Sequence, residues 1–386
     1  MAPTLNPDLI CISLQQLQRR RSYKWAHYPA DVLPAWVAEM DFPLAAPVKH
    51  AVAEAVELDD FGYSYPQGLG MAEAFAQFVR RRMNWHVDPS AVSPAIGVFS
   101  AISATLNLIV RPGDAVVITP PAYHPFYTLV EELGGKPVEV PLEGRKLNVE
   151  AINARLGEGA AALLLCSPHN PTGDVPEPGE LHSIAASAER HGAWILADEV
   201  HGPLAMPTSP HVPFLTVCGA EAERVVAFCS ASKAFNLAGL KCAQVVTASS
   251  TATDLIQRFP LRVIDCGHLG AIASTAAFRK GEDWLNDVIA VLDHNRHLIG
   301  QFLSERLPEV GYHPPEAGYL AWLDLNELDL GRDPSATILE RGKLALSPGL
   351  EFGPLGAGFV RLNFATSPAL LEQALERLEK ALTWRR

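Results

Sequence analysis

The chain contains no C-x-x-C pair, no H-E-x-x-H, no concentrated basic stripe and no long apolar run, and each absence removes a class of protein. Its six cysteines, Cys11, Cys166, Cys218, Cys229, Cys242 and Cys266, lack the spacing of zinc or redox sites, so they read as reduced thiols. Thirteen histidines include no paired ligand motif, and no metal is expected. With a formal net charge of −12, and with Arg19–Arg21 and Arg80–Arg82 reading as solvated helix ends, the chain does not suit a nucleic-acid partner. No stretch approaches the roughly eighteen apolar residues of a membrane helix. The N-terminus lacks a basic segment leading into an apolar one, so a cytoplasmic location without a membrane partner is expected.

What is present is length and apolar content. At 386 residues and 48% hydrophobic, the chain can bury a sizeable core, and two or three domains are expected. Neither an internal repeat nor a low-complexity tract interrupts it. Apolar spacing predicts helices over 68–84, after Ser100, over 178–191, and over 285–307 after a turn at Gly281–Trp284. Short apolar runs predict strands at 115–119, 161–166, 193–197, 225–229, 320–325 and 359–363. Buried strands alternating with helices imply an α/β fold with a mostly parallel sheet and helices on both faces. Ligands of such sheets bind beyond the carboxyl ends of the strands.

Those strand ends carry the chemistry. The run at 161–166 leads into Ser167-Pro168-His169-Asn170-Pro171-Thr172-Gly173, that at 193–197 into Asp198-Glu199-Val200-His201, and that at 225–229 into Ser230-Ala231-Ser232-Lys233. One crevice thereby receives an amide, a carboxylate and an amine. Pyridoxal phosphate needs such a set: an amine to condense with its aldehyde, a carboxylate to keep its pyridine nitrogen protonated, and a donor for its 3′-oxygen. Taken singly, each residue has a plainer reading. Asp198 alone would be a helix cap or an ion-pair partner. Ser230-x-x-Lys233 alone would suggest a serine acyl-enzyme, but the S-D-N and K-T-G companions of that chemistry are missing. The joint occurrence at successive strand ends favours the cofactor.

At this point the chain resembles the fold-type I, aspartate-aminotransferase-like enzymes, and within them the MalY/PatB family of cystathionine β-lyase-like carbon–sulfur lyases. The resemblance spans nearly the whole chain. It rests on Tyr23-Lys24-Trp25, on Leu33-Pro34-Ala35-Trp36-Val37-Ala38-Glu39-Met40-Asp41-Phe42, on Phe61-Gly62-Tyr63-Ser64, and on Gly97-Val98 with Thr119 to Tyr127. It continues through Ser167 to Gly173, Asp198 to His201, Ser232-Lys233-Ala234-Phe235-Asn236-Leu237, Tyr319 to Asp324, and Gly358 to Asn363. The N-P-T-G and S-x-S-K signatures are shared with many aminotransferases, whereas the W-V-A-x-M-D-F and S-K-x-F-N blocks are more specific to the lyases.

The resemblance implies a Schiff-base and proton-shuttle role for Lys233, a pyridinium partner in Asp198 and a 3′-oxygen donor in Asn170, with His201 facing the same oxygen. Tyr123 would join Lys233 and Asp198 in the catalytic set by stacking on the ring. The phosphate would meet the backbone N–H groups of Val98 and Phe99 at a helix start, together with Ser230 and Ser232. Lys241 departs from the family, standing where its lyases often have a small or polar residue and aminotransferases a phosphate-holding arginine, and would neutralise the phosphate. Tyr63 would reach it from a second subunit, making the enzyme a homodimer with shared sites. Arg361 would grip the substrate α-carboxylate, with Asn170 and Val37 beside it. Ile264-Asp265-Cys266-Gly267-His268 departs from the family's Ser/Asn/Pro-rich stretch and is the expected place of substrate choice.

The implied organisation is an N-terminal segment, 1–48, packing on the small domain or a partner subunit, a large cofactor-binding domain, 49–285, and a small C-terminal domain, 286–386. The implied reaction is cleavage of cystathionine or another L-cysteine S-conjugate to thiol, pyruvate and ammonia. The same apparatus would also serve an aminotransferase, or a biosynthetic enzyme that eliminates or decarboxylates a larger S-cysteinyl intermediate. From a different class, the family also suggests a regulatory, protein-binding role.

Overall fold

A two-residue strand near the start of the chain, Leu33–Pro34 (β1), belongs structurally with its end. In the computed structural model, which describes residues 5–383, β1 pairs in parallel with Leu344–Ala345. In chain order the remaining strands are Val92–Ala95 (β2), Ala115–Ile118 (β3), Lys136–Glu139 (β4), Ala162–Cys166 (β5), Trp194–Asp198 (β6), Val225–Cys229 (β7) and Ala243–Thr247 (β8). Beyond them come Gly311–Tyr312 (β9), Leu320–Asp324 (β10), Leu344–Ala345 (β11), Ser347–Pro348 (β12) and Phe359–Asn363 (β13).

The large sheet has seven strands in the order β2-β8-β7-β6-β5-β3-β4. Strands β3 to β7 run parallel, while β8 is antiparallel to both β7 and β2. Side chains alternate across a strand, and here both faces are buried. In β5, Ala162, Leu164 and Cys166 enter one core with the helix Val98–Ile109, whereas Leu163 and Leu165 enter another with the helices Val149–Gly157 and Pro178–His191. This two-sided burial explains why the strands read as continuous apolar runs. A core side chain such as the fully buried Phe228 contributes roughly 1.5–3 kcal/mol.

The helix Glu282–Arg306 leads from this sheet to a four-stranded antiparallel one, ordered β12-β13-β10-β9. Register there sets Arg361 of β13 opposite both Trp322 and Ser347. The helix Pro368–Leu382 packs its apolar stripe of Leu371, Leu375 and Leu378 into the same core.

Between the two sheets runs the segment that follows β1. Its backbone is clasped by the small sheet: Ala35 N–H donates to Ala345 O at 2.9 Å, Asn363 N–H to Ala35 O at 2.8 Å, and Asp41 N–H to Ala365 O at 2.8 Å. Lys24 Nζ meets Asp41 Oδ2 at 2.8 Å in a buried ion pair, and Trp25 Nε1 donates to Asp41 Oδ1 at 2.9 Å. Val37 and Ala38 are thereby fixed at the seam.

Several boundaries differ from the sequence reading. Gly281–Trp284 is no turn: Gly281 caps a helix that starts at Glu282, because Glu282 and Asp283 suit a helix N-terminus. The helix predicted after Ser100 starts at Val98, and the one predicted from Gly68 starts at Met71, where Gly70 at φ 64° turns the chain. Strands β2, β4 and β8 were not anticipated, since β2 and β4 each contain a proline and β8 has a glutamine at its second position. Among the described residues no helix is long and apolar enough to cross a membrane.

Candidate active site

The carboxyl ends of β5, β6 and β7 open into a cavity of about 450 Å³. Its lining includes Val37, Val98, Phe99, Tyr123, Asn170 and Asp198, and with them His201, Ser230, Ser232, Lys233, Lys241 and Arg361. The structure thus gathers every candidate cofactor- and substrate-binding residue named singly except Tyr63, which is 98% exposed and stands apart from this chain's own cavity; the stretch Ile264–His268 lies outside it as well.

Lys233 leaves β7 through a short helix, Ala231–Ala234, capped by Ser230, whose Oγ accepts from Ser232 N–H at 3.0 Å. Its Nζ donates to Ala38 O at 3.1 Å, the carbonyl that Tyr319 Oη also meets at 3.1 Å. Burial, reinforced by the charge of Arg361, lowers the Lys233 pKa to about 8, against the pull of Asp198 and Glu39. An amine in this state is uncharged and nucleophilic near neutral pH far more often than a solvated lysine. Asp198 ends β6. Burial raises its pKa to about 6, although Val200 N–H donates to Oδ1 at 3.2 Å and Lys233 lies nearby.

His201 is driven the other way. Burial first, then the charges of Lys233 and Arg361, lower its pKa to about 3, so the ring is neutral. Its Nδ1 is buried without a hydrogen-bond partner. Asn170 Oδ1 accepts from Arg361 Nη1 at 3.0 Å, which leaves the amide Nδ2 free to donate. The helix Val98–Ile109 starts at the cavity with Gly97 as its cap and no side chain on its first N–H groups. An anion is welcome there.

Arg361 is buried in the middle of β13. Its Nη2 donates to Trp36 O at 3.1 Å and to Ser347 Oγ at 3.2 Å, its guanidinium lies 4.8 Å from the Phe352 ring centre, and its Nε is buried without a partner. A carboxylate is the natural complement of such a fork.

The donor set fits pyridoxal 5′-phosphate on observations that the chain alone leaves open. Asp198 is a buried carboxylate in need of a cation, His201 presents an orphaned polar atom, and a helix N-terminus waits for an anion. Ser230 is less available for the phosphate than expected, because its Oγ donates to Cys242 O at 2.7 Å; Ser232 is the free hydroxyl of the two. Cys266 and His268 do not line this cavity. Cys266 is buried with Met71 and Cys242, 3.6 Å from Ser64 Oγ, and His268 Nε2 meets Asp60 Oδ2 at 3.0 Å.

Sequence reasoning did not assign the Tyr319 hydroxyl, the Ser347 hydroxyl or the Phe352 ring to the site. Tyr319 enters the sequence reading only within the block that carries the family resemblance. Ser347 is brought to Arg361 by the register of the two-residue strand β12 on β13, and Phe352 by the turn Gly349–Phe352 that follows.

Fold and site together define a fold-type I pyridoxal-phosphate enzyme. A model of the family described as aminotransferase class I and II matches residues 39–378. A Mycobacterium tuberculosis protein provisionally named a cystathionine beta-lyase is 41% identical, the match covering 97% of this chain and 98% of that protein. Cystathionine beta-lyase PatB of Bacillus subtilis is 33% identical over 92% of this chain and 93% of its own. The solved structure of a provisionally assigned PLP-dependent beta-cystathionase from Corynebacterium diphtheriae aligns with a TM-score of 0.93 at 32% identity, covering 98% of this chain and 100% of that one. The chain belongs to the aminotransferase class I and II family and, within it, to the MalY/PatB branch of pyridoxal-phosphate-dependent carbon–sulfur lyases.

Proposed function

We propose that the protein cleaves the Cβ–S bond of an L-cysteine S-conjugate, with cystathionine as the first substrate to test, releasing a thiol, pyruvate and ammonia. The observation that carries this reading is the convergence on one cavity of an amine of lowered pKa, a buried carboxylate and a buried arginine with an unsatisfied Nε. When bound, pyridoxal phosphate supplies an aldehyde that condenses with amines and a ring that accepts electrons from Cα. Asp198 would pair with the ring nitrogen and keep it protonated. Asn170 Nδ2 would donate to the 3′-oxygen, and His201, neutral, would donate to it in the tautomer that carries its proton on Nδ1. Tyr123 would stack on the ring, and Val98, Phe99, Ser232 and Lys241 would hold the phosphate.

Arg361 would fix the α-carboxylate, with Asn170 and Val37 alongside in the same cavity as Lys233, which would meet the Cα–H. Lys233 Nζ would take that proton as general base. Its position is held by the Ala38 carbonyl, itself immobilised by Tyr319.

Further elements of this reading are a homodimer in which Tyr63 of each subunit serves the other's phosphate, and a cytoplasmic location. The chain divides, on this reading, into a segment 1–48, a cofactor-binding domain 49–285 and a small domain 286–386, of which residues 1–4 and 384–386 lie outside the described ones. Support for the first division comes from the bonds between residues 33–41 and the small sheet. The deciding experiment is product analysis with purified enzyme and cystathionine. Pyruvate and homocysteine in equal amounts are expected; a keto acid retaining the sulfur, without pyruvate, would make the protein an aminotransferase.

A further inference from the structure

The residue after Asp198 is a second buried carboxylate, and the chemistry at the cofactor ring does not use it. Side chains alternate along β6: Leu196 enters the core that holds the helix Val98–Ile109, whereas Ile195 and Ala197 enter the other, with Phe214. Asp198 follows the first side into the cavity. Glu199, whose N–H extends the pairing of β6 with β7 by donating to Phe228 O at 2.9 Å, turns to the second. It is 2% exposed and lines a small void with Phe75, Phe78, Val79 and Phe278. Its Oε2 is buried without a hydrogen-bond partner among the described residues. A carboxylate left alone in such surroundings is costly.

One loop, 207–213 with the residue that follows it, accompanies this carboxylate. Phe214 N–H donates to Glu199 Oε1 at 2.6 Å, and His211 Nε2 stands 3.4 Å from the same oxygen, its side chain 1% exposed. Pro207, Pro210 and Pro213 restrict the loop that carries the ring. The ring is pressed onto the turn after β6: a Cβ on Gly202 would come within 2.7 Å of His211 Cδ2, and Gly202 N–H donates to Glu199 O at 2.8 Å. Neither ring nitrogen of His211 makes a hydrogen bond to a described residue. A neutral ring would leave two buried polar atoms unanswered, whereas a protonated one gains the Glu199 charge. The other ionisable groups about the pair do not compete for it. Arg81 is bound to Glu282, Arg82 to Asn286 and the Pro203 carbonyl, and burial pushes the Cys229 thiol up.

We propose that Glu199 and His211 form a buried ion pair that clamps the turn carrying Asp198 and His201, which makes His211 a positioning residue for the cofactor ring from outside the cavity. Two contacts to the ring, the Asp198 carboxylate and the His201 imidazole, stand on the backbone that this pair holds. The pair also cancels a negative charge one residue away from Asp198. The inference rests on the carbon–sulfur lyase reading only for its activity readout, since the binding of the cofactor tests it directly.

The test compares wild type, His211→Ala, Glu199→Gln and the double variant Glu199→Gln/His211→Ala. Cofactor-free protein is titrated with pyridoxal phosphate for its Kd, and holoenzyme is assayed for pyruvate release from cystathionine. His211→Ala strands the Glu199 charge, and its cofactor Kd should rise by about tenfold or more, a part of what breaking a buried pair commonly costs. Its kcat should fall while KM stays, because Arg361 is untouched. Glu199→Gln needs no counter-charge, so both it and the double variant should bind the cofactor within about threefold of wild type, the non-additivity expected of two residues that act as a pair. If His211→Ala does not fold, His211→Gln, which keeps a neutral donor of similar reach, takes its place with the same expectations. A His211 variant that binds the cofactor as wild type does would overturn the clamp, and so would a double variant that binds no better than the His211 variant alone. Wild type that binds the cofactor yet releases no pyruvate would instead sink the lyase reading, and the Kd comparison would still decide the clamp.

Discussion

Lys233 and Asp198 are each held in a place that disfavours charge, and each is expected to reveal this before any turnover is measured. The Lys233 ammonium is favoured only below its pKa, which burial brings down to about 8. The rate at which cofactor-free protein captures pyridoxal phosphate should therefore climb with pH to a plateau with its midpoint near 8. A climb continuing to about pH 10, as for solvated lysine, would count against the burial argument. Borohydride reduction followed by peptide mapping should place the label on Lys233, and Lys233→Ala should take up no covalent cofactor. Asp198 has its pKa raised above the value of an unfolded chain, so the folded state binds this proton more readily than the unfolded one. Its contribution to stability is whole below about pH 4 and is lost as pH rises through about 6. Without cofactor, Asp198→Asn should be more stable than wild type at pH 8, by on the order of 1–3 kcal/mol, while losing most lyase activity. Denaturant curves at pH 4 and pH 8 check the first part: an equal wild-type-to-variant gap at both pH values would show that Asp198 is not strained.

The element that makes the site whole is the stretch from β1 to Phe42, tied at one end to the small sheet and at the other to the loop after β7. Asn363 Nδ2 donates to both Val37 O at 2.6 Å and Glu39 O at 2.7 Å, and Asn236 accepts from Met40 N–H at 2.9 Å. Lys24 and Asp41 anchor it as a buried pair. Removing one partner leaves the other charge buried and alone, so Asp41→Asn is expected to cost about 3–5 kcal/mol of stability. Chemical denaturation measures this, and the double variant Lys24→Met/Asp41→Asn should recover part of the loss; no recovery would mean that the two residues do not act as a pair. This stretch also marks where sequence reading succeeds and stops. Continuous apolar runs ended by turn residues revealed β5, β6 and β7 because both faces of those strands are buried, and their ends then delivered Asn170, Asp198 and Lys233. The small-sheet strands β10 and β13 were legible for the same reason. Strands β2, β4 and β8 were not, since Pro94, Pro137 and Gln244 break the pattern that pairing in the sheet tolerates. The surroundings of Arg361 were invisible for another reason: Trp36 meets it through a backbone carbonyl, Ser347 through strand register and Phe352 through the turn after β12, which leave no trace in residue spacing.

At the scale of the whole molecule, one surface is too apolar and too close to the cavity to be left to solvent. Leu58, Phe61, Tyr63 and Tyr65 are 70%, 59%, 98% and 67% exposed, and Leu261 is 74% exposed. The two groups are neighbours: Ser64 Oγ lies 3.6 Å from Cys266 Sγ, His268 joins Asp60, and Ile96 N–H donates to Val263 O at 2.7 Å at the edge of the cavity. Contiguous exposed apolar residues of this kind mark an interface, and for identical chains the simplest closed arrangement is two-fold. Tyr63 would then leave its own surface and enter the partner's site, where its hydroxyl can donate to a phosphate. The expected outcome is that Tyr63→Ala alone and Lys233→Ala alone each give dimers of low activity. When the two variants are co-expressed with different affinity tags and the doubly tagged heterodimer is purified, one of its two sites keeps both native residues and the other has neither. Lyase activity should then return to about half of the wild-type value per dimer, a fraction set by site geometry rather than by protein concentration. Activity in the doubly tagged heterodimer no higher than that of the single variants would place Tyr63 outside the partner's site, and a monomer by sedimentation would remove the shared site altogether.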